Sequence, residues 1–210
     1  AEDDIVIPTG NDVGVAIVVY QNPTSRRLWI LVSFGKNVHR YDLEQRQVNG
    51  TITVNNQEAA EQKADPCNAL AVNAQSDRIA LGCESGLIEV YATSDDRISM
   101  LLFSCQGHTK TVCSLSFSIR QERLVSAAKD GTARVWNNEG HCLSEMTCVC
   151  EPPPANRAPP QILVRGCAFA DLNGQVALTV ASAKRGKAFL SQWQQQDTTG
   201  NYRCVVRTVC

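Results

Sequence analysis

Short runs of apolar residues, separated by polar turns, recur along the chain of 210 residues. The clearest lie between residues 111 and 136, where TVCSLSFS alternates, RLVSAA is continuous and TARVW alternates again. Runs of about four to eight residues with a period of two, broken by Gly and Asp, are typical of strands in small antiparallel sheets. Asp130-Gly131 supplies a tight turn, because Gly adopts a positive φ without steric cost. We therefore predict an antiparallel sheet here.

The same pattern occurs a second time at a spacing of 45 residues, the difference between positions 136 and 91. RIALGCESGLIEVY (78–91) aligns with RLVSAAKDGTARVW (123–136), and Leu70 falls on Leu115. A period of about 40–45 residues is typical of β-propellers of the WD-repeat type. The alignment therefore predicts at least two blades of one kind.

The stretch from 107 to 136 resembles a WD repeat, since it opens with Gly-His and closes with Trp136 in the place of the family's Trp-Asp pair. In that family, the positions of His108, Ser126, Asp130 and Trp136 carry a hydrogen-bonded tetrad. The resemblance implies that Asp accepts from the imidazole, the imidazole meets the hydroxyl, and the hydroxyl meets the indole. A Ser-His-Asp catalytic triad is the alternative, but the WD spacing already accounts for all three residues, and we expect no catalytic residue.

The remaining apolar runs fit further units of the same kind. We predict an all-β WD-repeat β-propeller over residues 1–210, with about four four-stranded blades at approximately 11–55, 67–104, 108–149 and 162–209. WD propellers usually close with about seven blades, so we expect a partial ring, completed by a continuation of the chain or by a second copy. In the first blade NVHRYDL alternates, and we place Val38 and Tyr41 on one face of that strand.

Composition argues against several function classes. The 20 basic and 21 acidic residues give a net charge of −1, which disfavours nucleic-acid or acidic-membrane binding driven by bulk charge. The sequence has no signal-peptide pattern and no membrane segment, because no apolar run approaches about 18 residues. It also lacks a phosphate loop, a nucleophile elbow and a His-Glu-x-x-His motif. We therefore expect a protein partner, no nucleic acid, no cofactor and no covalent catalysis.

Ten cysteines are more than usual for this length. Most fall inside predicted strands, where buried free Cys behaves as a small hydrophobe, and we expect reduced thiols. His141, Cys142, Cys148 and Cys150 are close enough in sequence to raise the question of a zinc site. They lack the Cys-x-x-Cys pair that is usual in structural zinc sites, so we expect no metal.

Two segments between predicted strands are candidates for partner contacts. EPPPANRAPPQ (151–161) contains five prolines, and we interpret it as a stiff extended connector or as a docking ligand for a proline-recognising module. The loop SAKRGK carries Lys184, Arg185 and Lys187, which form a candidate site for an acidic partner or simply a solvated loop.

Two parts of the chain resemble one branch of WD-repeat proteins. The second half looks like the ER-membrane guanine-nucleotide exchange factors of the COPII coat small GTPase, the prolactin regulatory element-binding protein family. The resemblance rests on a blade ending in Val-Trp, on the proline-rich connector that follows it, and on RGCAFADLNGQVALTVASAKRGKAFLSQW (165–193). GKNVHRYDLEQRQVNGTI (35–52) looks like that family's first-blade Lys-Asn segment.

This resemblance implies a guanine-nucleotide exchange factor in ER-to-Golgi vesicle transport, with Lys36, Asn37 and His39 as candidate GTPase contacts. Such a protein acts through its higher affinity for the nucleotide-free GTPase. The resemblance also implies a place on the cytoplasmic face, with ER-membrane anchoring through a segment outside this sequence. SFGKN (33–37) is shorter than the family's Gly-rich cation-binding loop, and the alternative function is a non-catalytic WD-repeat scaffold that binds another protein or peptide.

Overall fold

The computed structural model describes residues 14–54, 65–94, 98–120, 122–148, 162–183, 188–197 and 200–209. Within these ranges the regular elements are sixteen strands, which form four separate four-stranded antiparallel sheets. The same ranges contain no helix that is long and apolar enough to cross a membrane. The prediction of an all-β fold made of four four-stranded blades is confirmed.

Each sheet is a meander in which consecutive strands pair with each other. Blade 1 contains β1 (Gly14–Gln21), β2 (Leu28–Phe34), β3 (Asn37–Asp42) and β4 (Gln47–Thr53). Blade 2 contains β5 (Cys67–Val72), β6 (Arg78–Cys83), β7 (Ile88–Thr93) and β8 (Ile98–Cys105). Blade 3 contains β9 (Val112–Phe117), β10 (Leu124–Ala128), β11 (Thr132–Trp136) and β12 (Cys142–Thr147). Blade 4 contains β13 (Ile162–Phe169), β14 (Val176–Ala183), β15 (Ala188–Gln195) and β16 (Tyr202–Val209).

The blades stack in chain order through their first strands, since β1 contacts β5, β5 contacts β9, and β9 contacts β13. A separate apolar cluster fills each of the three spaces between neighbouring blades. The core therefore lies between the sheets, where burial of apolar area supplies most of the driving force for folding.

Strand alternation separates large from small side chains on the first two strands of blade 2. In blade 2 the face toward blade 1 carries large residues, namely Leu70, Val72, Ile79 and Leu81. The face toward blade 3 carries small ones, namely Ala69, Ala71, Ala80 and Gly82. At Gly82 the approach is so close that an added Cβ would lie 2.6 Å from Cγ1 of Val112. At this inner part of the contact, Val112 and Leu115 of blade 3 thus pack on small residues of blade 2, while Ile88 and Val90 of β7 fill the same space farther out.

The placement of Val38 and Tyr41 on one face of β3 was wrong. Val38 lies opposite Ser33 on β2, and Tyr41 lies opposite Ile30. Opposed residues share a face and faces alternate along a strand, so two residues three positions apart point to opposite sides. Val38 packs between blades 1 and 2, and Arg40 shares its face.

Candidate functional site

His108 stands at the centre of a hydrogen-bonded network inside blade 3. Its Nδ1 lies 2.9 Å from Oδ2 of Asp130, and its Nε2 lies 2.7 Å from Oγ of Ser126. The indole N–H of Trp136 donates to Oγ of Ser126 over 2.8 Å. The structure therefore brings the four residues of the predicted tetrad together. They come from the connection before β9, from β10, from the β10–β11 turn and from the end of β11.

The hydrogen bonds of this network can form with every donor matched to an acceptor. With the proton of the neutral imidazole assigned to Nδ1, His108 donates to the Asp130 carboxylate and accepts the Ser126 O–H at Nε2. Oγ of Ser126 in turn accepts from Trp136. Each donor then has an acceptor, which is the condition under which a buried polar network stabilises a fold rather than weakening it.

Asp130 anchors the end of this chain of hydrogen bonds. Besides His108, its carboxylate accepts from the Thr109 N–H over 3.1 Å, the Thr132 N–H over 2.9 Å and the Thr132 hydroxyl over 2.8 Å. Burial alone would raise the pKa of Asp130, but the hydrogen bonds from His108 and Thr132 outweigh it and hold that pKa well below its usual range. The carboxylate therefore stays ionised and joins the β10–β11 turn to the connection before β9.

The geometry does not suit a nucleophilic triad. Ser126 and Trp136 have no exposed surface, and His108 is 6% exposed. Oγ of Ser126 already accepts from the indole, and a serine nucleophile has to reach a substrate carbonyl. The observed burial supports a structural role for this network.

Blade 4 repeats half of the network, which the sequence interpretation missed. The indole N–H of Trp193 donates to Oγ1 of Thr179 over 2.9 Å. Thr179 lies opposite Cys167 just as Ser126 lies opposite Leu115, so Thr179 occupies in blade 4 the place of Ser126 in blade 3. Aligning β14 with β10 would have found this pair, because both strands carry a hydroxyl residue at the same register.

Removing the hydroxyl of Thr179 should destabilise blade 4. We expect Thr179→Val to lower the free energy of unfolding by about 1 kcal/mol, because the buried indole N–H of Trp193 loses its acceptor. Chemical denaturation measures this loss. The same change at exposed Thr208 on β16 is the matched control, and equal denaturation midpoints for the two variants would contradict the prediction.

Blade 2 links the same two connections with the chemical roles exchanged. Asp65, just before β5, accepts from the Ser85 N–H over 3.0 Å and from the Ser85 hydroxyl over 2.5 Å. The acid therefore lies in the connection and the donor in the β6–β7 turn, the reverse of blade 3. The next residue, Gly86, has a φ of +101°, and an added Cβ would lie 2.3 Å from the carbonyl oxygen of His108. This turn of blade 2 thus fits directly against the connection of blade 3.

The candidate GTPase contacts lie on blade 1 at the β2–β3 turn and on β3. The side chains of Asn37 and His39 are half-buried and point to β4: Oδ1 of Asn37 accepts from Thr53 over 2.9 Å, and Nδ1 of His39 lies 2.9 Å from Oγ1 of Thr51. Burial lowers the pKa of His39. Lys36 is half-buried as well but lies in the turn itself, which makes it the member of this set best placed for a partner.

The described lysines all lie at one edge of the stack. In a meander, the turn between the second and third strands lies at the same end as the connection that enters the first strand. We call this end the upper edge; it carries Lys36, Lys110 and Lys129. The other predicted cationic loop, with Lys184, Arg185 and Lys187, lies outside the described residues, as does the proline-rich segment 151–161.

The residues considered for zinc do not converge. His141 and Cys142 are exposed at the start of β12, and Cys148 follows its end. Six residues of strand separate Cys142 from Cys148, or about 20 Å, and the Cys148 sulfur lies 3.5 Å from Oγ1 of Thr179. Cys150 lies outside the described residues. No group of three or more His, Cys, Asp or Glu side chains in the described ranges could hold a metal ion.

Comparison with known families identifies one WD repeat. Residues 99–137 match the model "WD domain, G-beta repeat". This segment runs from β8 of blade 2 to the end of β11 of blade 3, so the sequence repeat is offset from the sheet by one strand. The offset connects neighbouring blades, because each repeat contributes strands to two of them.

The matching relatives are much longer than this chain. Restriction of telomere capping protein 1 of Candida dubliniensis is 29% identical over 70 residues, which is 33% of this chain and 6% of the relative. Apoptotic protease-activating factor 1 of Danio rerio is 35% identical over 78 residues, or 37% of this chain and 6% of the relative. The chain thus spans only a small part of each relative.

Solved structures agree with the fold. A chain of the Chaetomium thermophilum Polycomb Repressive Complex 2 bound to GSK126 superposes with a TM-score of 0.62 and 16% identity, covering 92% of this chain and 42% of that one. A chain from an active polycomb repressive complex 2 in the basal state gives 0.63 and 16%, covering 93% and 40%. At such identities the likeness concerns the fold alone. The chain contains a WD repeat, and its four sheets are blades of the WD-propeller type.

Proposed function

We propose that this chain is a WD-repeat scaffold that binds an acidic segment of a protein partner at the upper edge of its blades. The observation that carries this proposal is the position of Lys36, Lys110 and Lys129 at that edge. The nearby carboxylates of Asp65 and Asp130 are occupied by hydrogen bonds within blades 2 and 3. Among the described residues of this edge, the three lysines therefore outnumber the one remaining exposed carboxylate, that of Glu84.

The hydrogen-bonded links give this surface a firm base. In blade 3 the carboxylate of Asp130 ties the turn beside Lys129 to the connection that carries Lys110. In blade 2 the hydrogen bond from Ser85 to Asp65 likewise ties the β6–β7 turn to the connection before β5. Binding residues held on a rigid scaffold lose little conformational entropy when a partner docks.

Charge reversal tests this surface. We expect an Asp/Glu-rich peptide to bind the chain with an affinity that falls as salt increases, and Lys36→Glu, Lys110→Glu and Lys129→Glu together to abolish binding. The matched control reverses three arginines in the turns at the opposite edge, namely Arg26, Arg46 and Arg120. Both triple variants change the net charge equally, so equal loss of binding in both would contradict a specific lysine surface. Fluorescence anisotropy of a labelled peptide measures the affinity.

The second candidate function is guanine-nucleotide exchange on the COPII coat small GTPase, at the cytoplasmic face of the ER. The resemblance of residues 35–52 and 165–193 to exchange factors of that kind supports it, and Lys36 is the described residue best placed to take part. Such an activity requires no covalent chemistry, only tighter binding of the nucleotide-free GTPase.

Release of a fluorescent GDP analogue from the COPII coat GTPase separates the two functions. The scaffold proposal predicts the same release rate with and without this chain. An acceleration that is lost in Lys36→Ala and kept in Lys129→Ala would overturn that expectation in favour of an exchange factor. Binding of the GTPase without acceleration would identify it as a partner of the scaffold.

A further inference from the structure

The two outer faces of the stack carry the two halves of an inter-blade contact. Inside the chain, the first strand of each following blade presents large residues to the blade before it: Leu70 and Val72 in blade 2, and Leu115 and Phe117 in blade 3. The opposite side of the same strands carries small residues, namely Ala69 and Ala71 in blade 2 and Ser114 and Ser116 in blade 3. The first strand of blade 1 differs, because its side toward blade 2 carries Val18 and Tyr20.

Blade 1 presents the large type on its outer face. Ile17 lies opposite Val32, and Val19 lies opposite Ile30, in the register in which Leu70 lies opposite Leu81 in blade 2. Ile17 is 64% exposed and Val19 is 58% exposed. These residues therefore occupy the positions that are packed against a preceding blade elsewhere in the chain.

Blade 4 presents small residues on the outer face of its first strand, whereas its later strands carry the exposed apolar residues Val180, Leu190 and Val206 on that face. Gly166 and Ala168 alternate with Cys167 and Phe169, which contact blade 3. An added Cβ on Gly166 would meet no atom within 4 Å, and Val180, opposite Gly166, is 40% exposed. The small residues of β13 thus correspond to those that β5 and β9 turn toward the following blade.

We propose that the outer face of blade 1 docks on the outer face of blade 4 of a second copy of this chain, and that two such contacts close a ring of two copies. The large residues of β1 match the small residues of β13, and both outer faces expose apolar side chains, so one chain carries both halves of such a contact. The contact is head-to-tail, and a head-to-tail contact forms a closed ring if the rotation allows it. Two copies of four blades give eight blades, within the range of about four to eight known for propellers.

Analytical ultracentrifugation of the purified chain tests this association. We expect a mass of two chains that falls to one chain on dilution, and we expect Ile17→Asp to give one chain at all concentrations. Met100→Asp on β8 is the matched control, because Met100 is 63% exposed but lies on blade 2, away from both outer faces. Gly166→Phe should also be monomeric. Its own blade should tolerate the substitution, because an added Cβ at this position meets no atom within 4 Å. Thermal melting verifies that each variant is folded.

A mixture of the two variants checks the head-to-tail arrangement. Ile17→Asp keeps an intact blade 4 face, and Gly166→Phe keeps an intact blade 1 face, so together they should restore a species of two chains that neither forms alone. A wild-type chain that is monomeric at every concentration would overturn the proposal and indicate that other blades pack on the outer faces of blades 1 and 4. Particles that grow beyond two chains would overturn the closed ring, and self-association of Gly166→Phe alone would indicate contact between two blade 1 faces.

Discussion

Replacing Asp130 by Ala is expected to lower the free energy of unfolding by about 3 kcal/mol. The substitution removes the acceptor from His108 and from the backbone N–H groups of Thr109 and Thr132. The side chain of His108 has no exposed surface, so water cannot replace the lost carboxylate without opening the blade. A buried donor left without an acceptor costs about 1–3 kcal/mol, and the estimate allows for partial rescue of the two backbone donors.

Urea denaturation of the purified chain measures this loss. The matched control is Asp77→Ala, since Asp77 is an exposed turn residue of blade 2 that accepts from the side chain of Asn73. We expect the control to lose well under about 1 kcal/mol, as surface substitutions usually do. Similar losses at Asp77 and Asp130 would show that the network of blade 3 adds nothing beyond an ordinary turn.

The contribution of Asp130 should also depend on pH. Its pKa in the folded chain lies below its usual range because the hydrogen bonds from His108 and Thr132 outweigh burial, whereas in the unfolded chain it is about 3.9. The stabilisation is therefore present above pH ~4 and is lost progressively as the pH falls below that value. We expect the difference in unfolding free energy between wild type and Asp130→Ala to shrink on acidification below about pH 4.

The features that sequence predicted are local ones. Alternation over five to eight residues is a property of a single strand, and Asp130-Gly131 marks a turn by its own conformational preference. The tetrad is spread over positions 108 to 136, but the chain distance between its members is set by short strands and turns. Pattern alone could therefore place these residues, because each intervening element has a nearly fixed length.

The features that sequence did not predict repeat the WD pattern of blade 3 only in part. The pair Thr179 and Trp193 corresponds to Ser126 and Trp136 alone, and the pair Asp65 and Ser85 joins a connection to a turn with the chemical roles reversed. In blade 2 the donor and the acceptor have exchanged places, so a search for the family's His and Asp finds nothing. In blade 4 the hydroxyl of Thr179 becomes recognisable only when β14 is aligned with β10.

Arg40 is the clearest example, because a charged residue in an alternating strand suggests a solvent-facing position. Its side chain is instead fully buried between blades 1 and 2. The guanidinium lies 4.3 Å from the ring centroid of Trp29 and donates to Oγ1 of Thr93 over 2.8 Å. It also donates to the carbonyl oxygen of Ser94 and to Oδ1 of Asn49. One side chain thus connects β2, β3 and β4 of blade 1 with the end of β7 in blade 2.

We expect Arg40→Ala to lower the free energy of unfolding by about 4 kcal/mol, because it opens a cavity between two blades and removes the donor from buried Thr93 and from two partly buried acceptors. Arg40→Lys should lose nearly as much, since an ammonium group on a flexible stem cannot reproduce the planar fork that reaches both blades. Arg203→Ala on β16 is the exposed control. Because Arg40 links two blades through Thr93, Arg40→Ala and Thr93→Ala should be coupled by at least about 0.5 kcal/mol in a double-mutant cycle. Additive losses would mean that Arg40 acts only by filling space, and a midpoint like that of Arg203→Ala would refute its role altogether.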